Sequence, residues 1–153
     1  MTIEAPISKF KKTNLKIYIV VLLAFAIWCM YDGYFNKDWI KKHTDADGNP
    51  KSYLTFNRKA PPFLTAAAVL LGTYLFAIRN NKITADENEL IINDKKKIHY
   101  NSIQKIDKTH FDSKGFFVIT HKDENGKEVS QKLSDRTYDN LAAILNRLVE
   151  KIS

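Results

Sequence analysis

The sequence predicts a membrane protein: a hairpin of two transmembrane helices, then a small α+β domain. Three observations predict it. Apolar residues gather in two blocks, residues 15–31 and 60–78, while Lys, Asp, Glu and Asn crowd the rest of the chain. That segregation is hidden in a mean hydropathy of −0.32. Beyond residue 82 the pattern changes to short strands and ends in one amphipathic helix. The 153 residues allow about one domain.

Residues 1–14 read as a basic juxtamembrane tail. The stretch through Lys16 carries four lysines against one glutamate. The first span, residues 15–31, is short for a hydrocarbon core that needs about 20 residues. Lys16 lengthens it by snorkelling towards headgroups, and Trp28, Tyr31 and Tyr34 form an interfacial belt at the other end. A cleaved signal peptide competes with this reading, but no Ala-x-Ala-like site follows Met30. Cys29, the one cysteine, permits no intrachain disulfide and reads as a small packing residue.

Residues 32–59 are polar. Asp45–Asn49 resembles the opening of a calcium loop, yet Gly48 falls fourth and Phe56 twelfth where a glycine and a glutamate belong at the sixth and twelfth positions. An ordinary turn is expected there, and Trp39 and Ile40 among lysines suggest a short surface helix. The second span, residues 60–78, is free of charge, with Pro61 and Pro62 suited to a helix start. Ala68 and Gly72 share a face that admits close helix approach, to the first span or to a second copy in a homo-oligomer. Two spans place both termini on one side, and the basic flanks favour the cytoplasmic face of the plasma (inner) membrane.

Residues 82–153 read as an antiparallel sheet of five to six strands closed by one C-terminal helix. Ile83–Thr84, Leu90–Ile92, Ile98–Tyr100, Ser102–Thr109, Phe116–His121 and Lys127–Leu133 alternate with turns, of which Asn125–Gly126 is the strongest hairpin signal. Leu141, Leu145, Leu148 and Ile152, with Ile144, form the stripe of a helix expected to begin after an N-cap at Ser134 or Asp135.

Ile98–Asp107, Phe111–Phe117 and the helix from Tyr138 to Leu148, placed after paired spans, resemble the bacterial pleckstrin-homology-like (PH-like) domains. The resemblance covers about half the chain, residues 82–152, as a pattern without an invariant motif. It implies a membrane-tethered domain that binds a protein partner or serves as an accessory subunit. In that superfamily some members bind lipid headgroups through basic residues of the first hairpin loop. The corresponding turn here, Asp86–Asn88, is acidic.

Net charge is +7, but the region from Arg79 onward carries only +2 of it, so a nucleic-acid partner is not expected. Lys9, Lys11, Lys12, Lys16, Lys95, Lys96 and Lys97 are the residues expected to contact anionic lipid. His43, His99, His110 and His121 lack metal-ligand spacing, no serine sits in a nucleophile elbow, and no glycine-rich phosphate loop occurs. No enzyme activity, metal or cofactor is expected.

Overall fold

The computed structural model describes residues 2–152. Met1 and Ser153, the outer ends of the expected tail and domain, lie outside the described residues. The chain divides into two compact units. One comprises residues 1–12 and 78–153, and the other residues 13–77.

Among the described residues the first unit holds seven strands in two antiparallel sheets. The four-stranded sheet runs β1 (Ile3–Pro6), β2 (Lys82–Ala85), β3 (Glu89–Ile92) and β4 (Lys96–His99). The three-stranded sheet runs β5 (Ile103–Asp107), β6 (Phe116–Lys122) and β7 (Glu128–Ser134). Residues 82–152 supply six of these strands, as expected, but in two sheets and not one, and the seventh strand, β1, comes from the stretch read as a basic tail. It pairs with β2 from Ile3 opposite Ala85 to Pro6 opposite Lys82. Four residues ending in Pro6 give almost no periodic signal, and the partner strand lies more than 70 residues away.

Alternation then builds the core. In β2 and β3 every second residue is buried, as a sheet with one covered face requires. Ile83, Leu90, Ile98, Phe117, Ile119 and Leu133 are all but inaccessible. The helix that follows β7 and its turns spans Leu141–Ile152, and Leu141, Ile144, Leu145 and Leu148 cover the same core. It begins later than expected. Ser134 and Asp135 do not cap it: residues 135–140 form a turn, with Asn140 at φ 61°, that binds the N-terminal segment. Between β5 and β6, Phe111–Lys114 makes one helical turn, closed by Gly115 in the left-handed conformation.

The second unit is a helical hairpin. α1 (Lys9–Met30) begins in the first unit and continues through a π-helical turn, Tyr31–Phe35, where the Asn36 amide bonds to the Tyr31 carbonyl at 2.9 Å. A short helix, α2 (Lys37–Lys42), occupies the expected surface-helix segment, with the Asn36 side chain accepting from the Trp39 amide. In the turn that follows, Asp45 Oδ1 accepts from the Asp47 and Asn49 amides.

α3 (Ser52–Ile78) then returns. It starts eight residues before the apolar block, so Pro61 and Pro62 lie inside it and not at its start. Each proline removes one i→i−4 bond, and the carbonyl freed by Pro62, that of Arg58, accepts the Tyr34 hydroxyl at 3.2 Å. At Pro62, then, a neighbouring side chain serves the orphaned backbone carbonyl.

The segments Lys9–Phe35 and Ser52–Ile78 each hold 27 residues, about 40 Å of helix. Both are long and apolar enough to cross a membrane, and only 11% of each apolar window is buried.

Candidate functional site

The seven lysines read as lipid contacts fall on two elements. Lys9, Lys11, Lys12 and Lys16 occupy the first two turns of α1. Lys95–Lys97 lie at the β3–β4 hairpin, whose turn has Asn93 and Asp94 at φ 54° and 56°, a type I′ geometry that Asn and Asp tolerate. Lys95 is exposed at the turn. Lys96 Nζ donates to Gln131 Oε1 at 3.0 Å, and Lys97 Nζ pairs with Glu89 Oε1 at 3.0 Å. The triplet therefore does not act as three open cations: Glu89 neutralises Lys97, and Gln131, on β7 of the other sheet, holds Lys96.

Within the first unit, one segment gathers the start of α1 and the Lys95 turn. The Tyr138 hydroxyl donates to Asn93 Oδ1 at 2.9 Å. The next residue, Asp139, accepts from the Lys9 amide at 3.0 Å and through its own amide bonds to the Pro6 carbonyl at 2.8 Å. Ser8 is fully buried, donates its hydroxyl to the Arg136 carbonyl at 2.6 Å and accepts from the Lys11 amide at 3.1 Å. It is thus the N-cap of α1 as well as a stitch to the turn before the last helix. Asp139 adds negative charge at the same helix N-terminus. The Asn93 amide bonds to the Lys82 carbonyl at 2.7 Å, and the Ile7 amide to the Asn81 carbonyl at 3.0 Å. Lys9, Lys12, Lys95 and Arg136 consequently share the end of the sheet unit from which the chain leaves at Lys12 and to which it returns at Ile78. Phe10, 57% exposed, sits among them, beside a hollow it lines with Arg136.

Sequence reasoning missed the part played by Arg136, and it missed a second basic hollow. Lys114, Lys132 and Arg136 line a cavity of about 290 Å³ with Ser113 and Ser134. Lys132 Nζ lies 3.8 Å from the centre of the Phe116 ring, a cation–π contact that fixes its position. No periodicity announces such a site, because its residues come from three elements.

The histidines are not brought together. His121 is buried on β6 with Nδ1 3.1 Å from the Lys122 carbonyl, and His43 Nδ1 lies 2.9 Å from the Trp39 carbonyl. Among the described residues no three His, Cys, Asp or Glu side chains are grouped as metal ligands. On β4, His99 lies 3.7 Å from Glu89, the carboxylate that Lys97 already occupies. Burial pushes the Tyr100 hydroxyl above its ordinary value of 10.0, and the group donates to the Asp86 carbonyl at 2.7 Å.

No family model matches the chain, and no curated protein or solved structure matches it.

Proposed function

We propose that the chain is a membrane-anchored, non-catalytic interaction module, in which Lys9–Phe35 and Ser52–Ile78 cross the plasma (inner) membrane and hold a PH-like domain at its cytoplasmic face. The observation that carries this reading is the exposure of the two apolar helices. A core helix of a soluble protein buries most of its apolar surface, whereas 11% of each apolar window is buried here. The PH-like assignment is supported by a four-stranded and a three-stranded antiparallel sheet with one C-terminal helix over their core. On this reading the domain binds a protein partner or packs as an accessory subunit of a membrane complex.

One further observation favours paired spans over a single one. β1 and β2 are neighbours in one sheet, yet 75 residues separate Pro6 from Lys82. Chain that leaves a sheet and rejoins it next door must cross a bilayer an even number of times, as a two-span hairpin does.

Alkaline carbonate extraction of membranes expressing the full chain tests the anchoring: the protein stays in the pellet and enters the supernatant only with detergent. Release by carbonate alone overturns it. A reporter fused after residue 152 tests the orientation. Purification in mild detergent followed by mass spectrometry tests for a stoichiometric partner.

A second reading, anionic-lipid contact, is favoured by the convergence of Lys9, Lys12, Lys95 and Arg136 at one end of the sheet unit, each worth about 1 kcal/mol beside an anionic surface. Native mass spectrometry of the detergent-purified protein would then find retained phosphatidylglycerol, lost in the Lys95→Glu, Arg136→Glu double variant. Equal retention by both proteins counts against it.

A further inference from the structure

The hairpin unit has a hollow of its own where the end of α1 meets α2 and the start of α3. Its volume is about 210 Å³, more than the about 150 Å³ that admits benzene in an engineered core. Phe25, Trp28, Trp39, Tyr53 and Phe56 line it together with Asp32. Asp32 is 7% exposed. Its carboxylate accepts from Asn36 Nδ2 at 2.8 Å, and among the described residues no basic side chain pairs with it.

A buried carboxylate without a counter-ion is costly. The faces of the surrounding rings are also negative and attract cations within about 6 Å. All of these wall groups therefore favour positive charge. The charge must carry an apolar skin, because one carboxylate among rings cannot supply the six or more oxygens a hard metal cation takes. An interfacial aromatic belt explains rings at this level of a membrane helix, but it puts no buried carboxylate among them.

The walls are braced. Trp39 stacks on His43 with ring centres 4.0 Å apart, His43 meets Tyr53 edge-on at 5.9 Å, and Phe25 meets Trp28 edge-on at 5.9 Å. The Trp39 indole N–H is buried without an acceptor. A ligand oxygen beside the cation, as in a choline or ethanolamine ester, would give it one.

We propose that this hollow binds an organic ammonium group, with Asp32 as its counter-ion and the rings as its cage. The inference concerns residues 13–77 alone and is independent of what the sheet unit binds. The cation comes either from a soluble amine or from a phospholipid headgroup.

The chain's two tryptophans both line the hollow, so intrinsic fluorescence of the full-length protein in detergent reads it directly. Choline chloride gives a saturable change that sodium chloride at equal ionic strength and the uncharged isostere 3,3-dimethylbutan-1-ol do not. Asp32→Asn, which keeps a hydrogen-bond partner for Asn36, weakens choline at least about tenfold. Should that variant fail to fold by circular dichroism and gel filtration, Tyr53→Leu with Phe56→Leu takes its place and weakens choline in the same direction. An equal response to the uncharged isostere, no saturation, or unchanged affinity in the folded variants overturns the proposal. In nanodiscs, a choline affinity lower in phosphatidylcholine than in phosphatidylglycerol assigns the site to a headgroup. An equal affinity in the two lipids assigns it to a soluble ammonium.

Discussion

Single residues set the tolerances of both units. Gly115 closes the Phe111–Lys114 turn at φ 67°, and a Cβ there would run into the Asp135 carboxylate. Gly115→Ala therefore combines a left-handed backbone with a clash and costs about 1–2 kcal/mol, read as a lower midpoint in thermal unfolding. In the hairpin, Tyr34 and Pro62 act as a pair, since the hydroxyl serves the carbonyl that the proline orphans. Tyr34→Phe alone costs about 1 kcal/mol. In a Pro62→Ala background, where the helix amide returns, the same change costs less, and a double-mutant cycle in detergent measures the difference.

Gly33 belongs to the same joint, where a Cβ would lie 3.1 Å from the Asn57 backbone. Tyr100 gives a pH signature. Burial raises its folded value above 10.0, so its contribution is intact below about pH 10 and falls as pH rises beyond that point. Tyr100→Phe flattens the alkaline limb of a stability–pH curve relative to the parent.

Elements with a clear period were legible in the sequence, and those without one were not. The last helix was visible from Leu141, Ile144, Leu145 and Leu148, which are buried, whereas Ile152, read as the end of the same stripe, is 38% exposed in the final turn. Leu148→Ala removes a fully buried side chain and costs about 2–5 kcal/mol, checked by chemical denaturation. Its start was misplaced because Ser134 and Asp135 look like caps, whereas residues 135–140 serve to bind Pro6, Ser8 and Lys9. The start of α3 was misplaced because prolines more often begin helices than lie within them, and nothing in the sequence pairs Tyr34 with Arg58. β1 was invisible for a different reason: four residues carry no decisive alternation, and the edge they cover belongs to a distant strand. The Lys95 cluster was found, but its partners Glu89 and Gln131 lie on other strands and could not be foreseen.

For the whole molecule, β1 redraws the boundary of the strand-rich unit. A fragment of residues 82–153 lacks β1 and leaves the β2 edge unpaired. It is expected to aggregate, as open edges do. Joining residues 2–8 to residues 80–152 through a short turn restores the neighbour, because Pro6 and Lys82 already face each other across the ladder. Gel filtration of the two proteins checks this: the joined chain elutes as one compact species and the fragment does not. The acidic turn Asp86–Asn88 is then not the first connection between strands of the domain. That place is taken by everything from residue 7 to residue 81.

The placement of β1 also orders events during synthesis. The ribosome delivers Ile3–Pro6 first, but their partner emerges some 75 residues later, about 4–15 s at ordinary elongation rates. Throughout that interval the nascent segment has no template to pair with. Only after the intervening helices have been made, and have turned back, does β2 arrive beside it. The four-stranded sheet therefore cannot be completed until residues 7–81 have been made and the chain has come back to β1, and a chain in which β1 fails to dock carries an open sheet edge that cellular proteolysis can recognise.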